Sequence, residues 1–187
     1  MRATDPVAGS TCGVPSPQGA YHPFRDASLS PDERVNLAQV WLGYYFSAVH
    51  DLDSVTPELL NSRTPLHENA LESSVGYSKT PTTLRMSKEE CESMKDRDAL
   101  VRSSMHILRM TPEVFRGNFE RALFDTGGVL PGIRIVYAWC DESMTDSVYA
   151  AKYTLDRLKA ARAEGTVVRD IDFYKLEGCN HVVSDTV

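Results

Sequence analysis

The sequence predicts a mixed α/β fold in which a helical middle region precedes a βαβ unit near the end of the chain. Residues 133–140 (IRIVYAWC) carry one charge and are otherwise apolar on both faces of a pleated strand, which is typical of a strand buried inside a parallel sheet. Residues 146–163 have apolar side chains at helical spacing, and Gly165 is a stop signal directly after them. Residues 167–174 alternate in polarity, with two aspartates on one face, which predicts a half-exposed edge strand.

The composition is that of one ordinary globular domain. The chain has 187 residues, of which 42% are hydrophobic and 25% are charged, and this is enough apolar material to bury a sizeable core. The formal net charge of −6 and the lack of a Lys/Arg cluster argue against a nucleic-acid or anionic-membrane surface, because these partners select basic patches. We therefore expect neither a nucleic acid nor a membrane as a partner.

The lack of a recognisable targeting signal or membrane span, together with the cysteine spacing, predicts a soluble, cytoplasmic protein. The first 26 residues hold no apolar stretch of signal-peptide length, and the sequence has no run of about 18 or more apolar residues that would span a membrane. The cysteines follow neither a disulfide framework nor a CxxC spacing, so reduced thiols are expected at Cys12, Cys91, Cys140 and Cys179.

The chain divides into three regions. Residues 1–29 are rich in Pro, Gly and Ser without periodicity, which predicts an irregular arm with Tyr21 and Phe24 as candidate packing residues. Residues 30–128 form the predicted helical region, and residues 129–187 contain the βαβ unit.

Helix-start signals recur through the middle region. Ser30-Pro31-Asp32-Glu33 combines an N-cap, a proline at the first helical position and a capping-box glutamate, and predicts a helix to about residue 50. The apolar stripe of this helix comprises Ala38, Trp41, Leu42, Tyr45 and Val49. Residues 56–58 predict the start of a short helix, and residues 87–90 predict the start of a helix that runs toward residue 110. Residues 111–113 predict a further helix that ends at Gly127-Gly128. The side chains expected to face inward from it are those of Phe115, Phe119, Ala122 and Leu123. Residues 61–86 are predicted as loop.

Residues with catalytic chemistry follow both predicted strands. Asp141 and Glu142 come directly after the first strand, and His181 lies in a Gly/Asn-containing loop after the second. Because parallel neighbours end at the same edge of a sheet, we expect the acids and the histidine to meet there, where open α/β folds place their chemistry.

At these residues the sequence resembles the α/β-hydrolase superfamily. "GIRIVYAWCDES" followed by a helix, a strand and "LEGCNHVV" is similar to the end of such an enzyme, in which the penultimate strand ends in the triad acid and the last strand leads into the histidine loop. The resemblance implies a helical cap followed by an incomplete hydrolase sheet. It also implies a serine-hydrolase activity on an ester, amide or related bond, with Asp141 as the acid, Glu142 as the alternative acid and His181 as the general base.

The nucleophile is the point at which the sequence departs from that family. The family carries its serine in G-x-S-x-G on a strand-to-helix turn, and this motif is absent here. The nearest match, Gly76-Tyr77-Ser78-Lys79-Thr80, lacks the second glycine and follows a poor strand, so a polar loop is the competing interpretation of Ser78. The sequence also has no HGGG-like stretch for an oxyanion hole. The expectation is therefore a truncated hydrolase, weakly active or inactive alone, whose serine is Ser78 or comes from outside the chain.

Four other interpretations remain open. His181 is also consistent with an ordinary loop histidine, and the two acids with helix N-terminal residues stabilised by the helix dipole. Cys140, Asp141, Cys179 and His181 are all zinc-ligand types, although their spacing matches no zinc motif, and neither a metal nor a cofactor is expected. The whole chain is alternatively a non-catalytic interaction module or a truncated gene product. A small-molecule substrate is expected if the chain is active, and the unpaired edge of strand 133–140 predicts self-association.

Overall fold

The computed structural model describes residues 7–66, 80–81, 84, 86–93, 110–128 and 130–182. Its helices, in chain order, are α1 (Pro31–Trp41), α2 (Pro57–Ser62), α3 (Lys88–Ser93), α4 (Pro112–Phe124) and α5 (Thr145–Ala163). Its strands are β1 (Ile135–Cys140) and β2 (Ile171–Leu176). Single helical turns lie at Ala8–Cys12, Pro23–Arg25 and Leu52–Ser54. None of the helices in these ranges combines the length and the apolar character that crossing a bilayer demands.

The βαβ unit is confirmed. Strands β1 and β2 pair in parallel, in a register that runs from Ile135 opposite Ile171 to Cys140 opposite Leu176, and α5 connects them. Within the ranges given above the sheet has these two strands. The protein is therefore mixed α/β, with helices beside a small parallel sheet, and a hydrolase sheet stays a prediction.

Helix α5 covers one face of this sheet. Ile135, Tyr137, Trp139, Ile171 and Phe173 all point to that face and pack against buried residues of the helix. The prediction that β1 is buried on both faces was wrong for its first half, because Val136 is 61% exposed and its neighbour Tyr174 is 53% exposed. The difference arises because α5 packs on the face that carries Ile135 and Tyr137, whereas Val136 and Tyr174 point to the opposite face.

Strand β2 begins later than the alternating pattern predicted. The prediction started it at residue 167, whereas the ladder starts at Ile171. The intervening backbone bonds elsewhere: Arg169 N–H donates to Leu123 O at 3.0 Å, and the buried Arg169 guanidinium donates to Leu130 O at 2.7 Å. These contacts hold Arg169 at the end of α4 and the loop after it, whereas Asp170 O already accepts from Ile135 N–H of β1.

Local capping chemistry sets the helix starts. In α1 the Ser30 hydroxyl accepts from Glu33 N–H, and Glu33 accepts from Ser30 N–H at 2.7 Å, which completes the predicted capping box. Ser87 and Glu90 form the same box at α3, and the Thr56 hydroxyl caps α2. The predicted continuation of the α3 helix, residues 94–109, lies outside the described residues.

Helix α1 is shorter than predicted. It ends at Trp41, not near residue 50, because the chain turns away and its amides find distant partners. Phe46 N–H donates to Glu142 O and Val49 N–H donates to Asp141 O, both at 2.9 Å. Tyr45 and Val49 are still buried, but as part of this crossing segment (residues 42–49) and not as a helical stripe.

The N-terminal arm contributes to the main core. Ala8 and Cys12 are fully buried between α4 and α5, together with Phe119 and Leu123 of α4. Burial raises the pKa of the Cys12 thiol to about 11, and none of the four cysteines is in a disulfide. Other expectations for these segments were wrong: Tyr21 and Phe24 are 50% and 44% exposed, and Ala122 of α4 faces solvent.

Candidate functional site

The candidate site lies at the edge of the sheet where both strands end. Asp141 and Glu142 follow β1 and are both buried, with 5% and 6% of their surfaces exposed. The loop after β2 is hydrogen-bonded to both acidic residues: Gly178 N–H donates to Asp141 Oδ1 at 2.8 Å, and Glu142 N–H donates to Cys179 O at 3.1 Å. The structure therefore brings the predicted acids and the histidine loop together.

The Asp141 carboxyl is in an environment that disfavours its charge. Burial raises its pKa above the ordinary value of 3.8, and the neighbouring Glu142 raises it further. The Gly178 N–H and the Lys175 ammonium act in the opposite direction, but burial is the largest cause. A carboxyl with a raised pKa at a strand end is a feature that functional sites share with some structural networks.

His181 contacts a serine that the sequence patterns did not single out. Its Nδ1 lies 3.3 Å from the Oγ of Ser147, the third residue of α5, and Ser147 is fully buried. This is hydrogen-bonding distance, with the donor set by the imidazole tautomer. The predicted hydrogen bond from His181 to Asp141 or Glu142 stays a prediction.

Asn180 fixes the backbone next to His181. It is 3% exposed, its Nδ2 donates to Gly43 O at 2.7 Å, and its Oδ1 accepts from Val182 N–H at 2.9 Å. The first bond anchors the histidine loop to the turn after α1, and the second closes a turn within the loop around His181. The loop is therefore held on both sides of the imidazole-bearing residue.

Arg63 links the backbone of Asp141 to the crossing segment. It is 6% exposed, its NH2 donates to Ser47 O at 2.9 Å and to Asp141 O at 3.3 Å, and its guanidinium lies 5.6 Å from the centre of the Phe46 ring. Asp141 O thereby receives both Arg63 and the Val49 amide. This places a buried guanidinium beside the backbone of the candidate acid.

The remaining predicted site residues are Ser78, Cys140 and Cys179. Ser78 lies outside the described residues, so its place relative to His181 stays a prediction. Cys140 is 1% exposed, and the Cys179 thiol contacts Glu177 O at 3.6 Å. In the described part of the chain no group of three or more His, Cys, Asp or Glu side chains is arranged to hold a metal ion.

Sequence reasoning missed Ser147, Asp146, Asn180 and Arg63 as neighbours of this edge. Residues 141–148 (DESMTDSV) are all buried although most are polar, and this density of polar residues directly after an apolar strand was the available signal. Arg63 carried no such signal, because its partners are backbone carbonyls far away in sequence.

We expect Asp141→Asn to stabilise the protein increasingly as the pH rises. A carboxyl whose pKa is raised on folding binds its proton more tightly in the folded state, so its contribution to the free energy of unfolding falls as the pH rises from 3.8 through the folded pKa. The asparagine side chain does not ionise, so the variant does not lose this stability, and its amide oxygen can still accept from Gly178 N–H. Urea unfolding between pH 3 and 7 measures the difference, which we expect to grow toward neutral pH.

Asp26→Asn is the matched control with the opposite sign. Hydrogen bonds from Ser28 lower the pKa of Asp26, so its ionised form stabilises the folded protein above that pKa, and the variant loses this at neutral pH. If the free energy of unfolding of Asp141→Asn differed from that of the wild type by the same amount at every pH, the assignment of a raised pKa to Asp141 would be contradicted.

No protein-family model, curated protein or solved structure matches this chain. The function therefore has to be argued from the geometry of the sheet edge itself.

Proposed function

We propose that this chain carries the acid and the base, Asp141 and His181, of an α/β-hydrolase-like serine hydrolase that cleaves an ester, amide or related bond. The observation that carries the proposal is the hydrogen bond from Gly178 N–H to Asp141 Oδ1, which joins the two strand ends and sets the histidine loop beside the acid. Parallel pairing of β1 and β2 supports it, because this is the order in which the family presents the acid and then the histidine.

In this mechanism a serine hydroxyl attacks the substrate carbonyl while His181 accepts its proton. The resulting imidazolium protonates the leaving group, and a water molecule then releases the acyl group by the same route with His181 again as base. In this proposal Asp141 accepts from Nε2–H, which orients the ring and stabilises its cationic form. Nδ1, which lies 3.3 Å from Ser147 Oγ in the resting arrangement, then accepts the proton of the attacking serine once Ser147 has turned away. The serine that His181 contacts here is fully buried, so the attacking serine is Ser78 or belongs to another chain.

The pairing of His181 with Asp141 is tested by proton NMR. A carboxylate that accepts from an imidazole N–H moves that proton strongly downfield, and we expect such a resonance in the wild type and its loss in His181→Ala and Asp141→Asn. Glu142→Gln is the matched control and should retain it. Loss in Ser147→Ala with retention in Asp141→Asn would assign the partner as Ser147 and remove Asp141 from the mechanism.

Ester turnover tests the source of the nucleophile. We expect the purified chain to hydrolyse 4-nitrophenyl acetate no faster than His181→Ala, since a histidine and an acid without an activated serine lack the covalent route. A clear loss of turnover in Ser78→Ala would contradict this expectation and would identify Ser78 as the nucleophile within the chain.

A second candidate function, an interaction module that pairs with a copy of itself, is favoured by the edge of β1 opposite β2, with which no strand of the described residues pairs. Ile135 and Asp141 direct their N–H groups to β2, so alternation of the ladder turns the amides of Val136 and Ala138 to the other edge. Val136 is 61% exposed and Tyr174 is 53% exposed beside it. An apolar, unpaired edge of this kind templates association.

Light scattering over a range of protein concentrations measures this association. We expect a size that grows with concentration and an apolar dye that binds, and we expect Val136→Lys to reduce both because a charged edge residue opposes strand pairing. Glu164→Gln, at the exposed end of helix α5, changes the net charge by the same +1 and is the control. A wild-type chain that stays monomeric when concentrated and binds no dye would rule out this function.

A further inference from the structure

We propose that a cavity between the N-terminal segment and the first turn of α5 binds a small, neutral molecule that carries a hydroxyl or amide N–H donor on an apolar body. The cavity has a volume of about 330 Å³. Ligand sites in proteins occupy about 300–1,000 Å³, so this one suits a small ligand. The proposal does not depend on Asp141 or His181 and goes beyond the hydrolase function.

The walls of the cavity are apolar with a few polar groups. Phe24 and residues at the start of α4, including Met110 and Phe115, supply the apolar surface. His22, Arg25 and Asp146 supply the titratable groups of the lining. An apolar body with a few convergent polar groups is the usual composition of a small-molecule site.

Asp146 is the polar group that points to a ligand. It is the second residue of the 19-residue helix α5 and is only 2% exposed. Its Oδ2 lies 3.4 Å from the Arg25 guanidinium and 3.8 Å from His22 Nε2. Its Oδ1 is buried and has no hydrogen-bond partner among the described residues. A buried acceptor without a donor is unfavourable, and a ligand donor would satisfy it.

His22 contributes a fixed, neutral donor to this site. Its Nδ1 accepts from Phe24 N–H at 3.3 Å, so the ring proton is on Nε2, which faces Asp146. Burial lowers the pKa of His22, which keeps the ring neutral near pH 7. The ring also packs against Trp41, with 5.0 Å between the ring centres, and this holds its orientation.

The charges of the lining select a neutral ligand. Arg25 balances the charge of Asp146, and His22 adds none. An anionic ligand would approach the unsatisfied oxygen of a carboxylate, and a cationic ligand would compete with Arg25 for it. A hydroxyl or amide N–H satisfies Asp146 Oδ1 without disturbing that balance.

NMR titration of the whole chain tests the site with two matched probes. We expect 3-phenylpropan-1-ol to shift the backbone amides of Gly9, Phe24 and Asp146 to saturation, since all three line the cavity. Its methyl ether has the same apolar body without the donor, and we expect it to bind at least about tenfold more weakly, the cost of about one hydrogen bond.

Two variants locate the interaction. Asp146→Leu should weaken the alcohol to the level of the ether and leave the ether unchanged. Phe24→Ala changes an exposed side chain, so we expect the variant to fold and to bind both the alcohol and the ether more weakly. If Asp146→Leu is unstable, the affinities of Phe24→Ala decide whether the probes bind in this cavity. The proposal is overturned if these amides do not shift, if the ether binds as tightly as the alcohol, or if 3-phenylpropylamine binds more tightly than either. Ester turnover is not the readout, so the outcome is independent of the hydrolase function.

Discussion

Gly13→Ala should lower the free energy of unfolding by about 2–4 kcal/mol, because it combines a strained backbone with a steric clash. Gly13 follows the helical turn at Ala8–Cys12 with a φ of 64°, in the left-handed region that favours glycine. A Cβ at this position would overlap the backbone of Pro112 and Arg116 in the first turns of α4. Arg116 also donates to Gly13 O at 2.9 Å, so the two segments cannot separate without losing a hydrogen bond.

The displaced turn would also withdraw buried side chains from the core. Cys12 immediately precedes Gly13, is fully buried, and its Sγ lies 3.7 Å from the Thr154 hydroxyl of α5. We therefore expect the Cys12 thiol, inert to alkylating reagents in the wild type, to react measurably in Gly13→Ala. Urea unfolding and thiol labelling measure the two effects.

Gly9→Ala is the matched control for this variant. Gly9 lies in the same helical turn, its φ is not positive, and a Cβ there would meet no atom within 4 Å. We expect a change within about 0.5 kcal/mol of zero or a small gain from the stiffer unfolded chain. Equal losses in the two variants would mean that the Gly13 contact with α4 does not determine the effect.

The parts of the fold that follow from local chemistry could be predicted from the sequence. The helix starts at Pro31, Pro57 and Lys88 each follow a capping residue directly, and the start at Pro112 has a proline at its first position. Strand β1 was predictable because its apolar run is continuous, and the parallel pair because a long helix separates the two strands. In each case the residues that decide the structure are neighbours in sequence.

The element boundaries that were missed depend on distant partners. Helix α1 ends early because the amides of Phe46 and Val49 bond the carbonyls of residues 142 and 141, almost a hundred residues away. Strand β2 starts late because Arg169 bonds the end of α4. Propensity and periodicity carry no information about such contacts, so the sequence could place the elements and not their ends.

The same distinction applies to the candidate site. That Asp141 and the histidine loop share an edge follows from parallel pairing and could be predicted from the order of the elements. That His181 contacts Ser147 depends on the rotation of α5 about its axis and on the Asn180 anchor at Gly43. The first is a property of topology, whereas the second is set by side-chain packing that no spacing rule specifies.

Trp139→Ala should lower the free energy of unfolding by about 3–5 kcal/mol, the cost of removing a large aromatic side chain from a packed core. Trp139 is 4% exposed and packs in one cluster with Val148 of α5 and with Val49 and Leu52. Since single domains are stable by about 5–15 kcal/mol, this loss is a large share of the total. Urea unfolding at neutral pH measures it.

Val136→Ala on the same strand is the matched control, because the two side chains point to opposite faces of the sheet. Val136 is 61% exposed, so its truncation should cost less than about 0.5 kcal/mol.

Trp139 also lies two residues before Asp141, whose carbonyl oxygen accepts from the Val49 N–H. The cavity left by Trp139→Ala should therefore speed hydrogen exchange at Val49 and Gly178, which report on the crossing segment and on the histidine loop, and Val136→Ala should leave both rates unchanged. A comparable loss of stability in both variants would mean that something covers the second face of the sheet in solution and buries Val136 there.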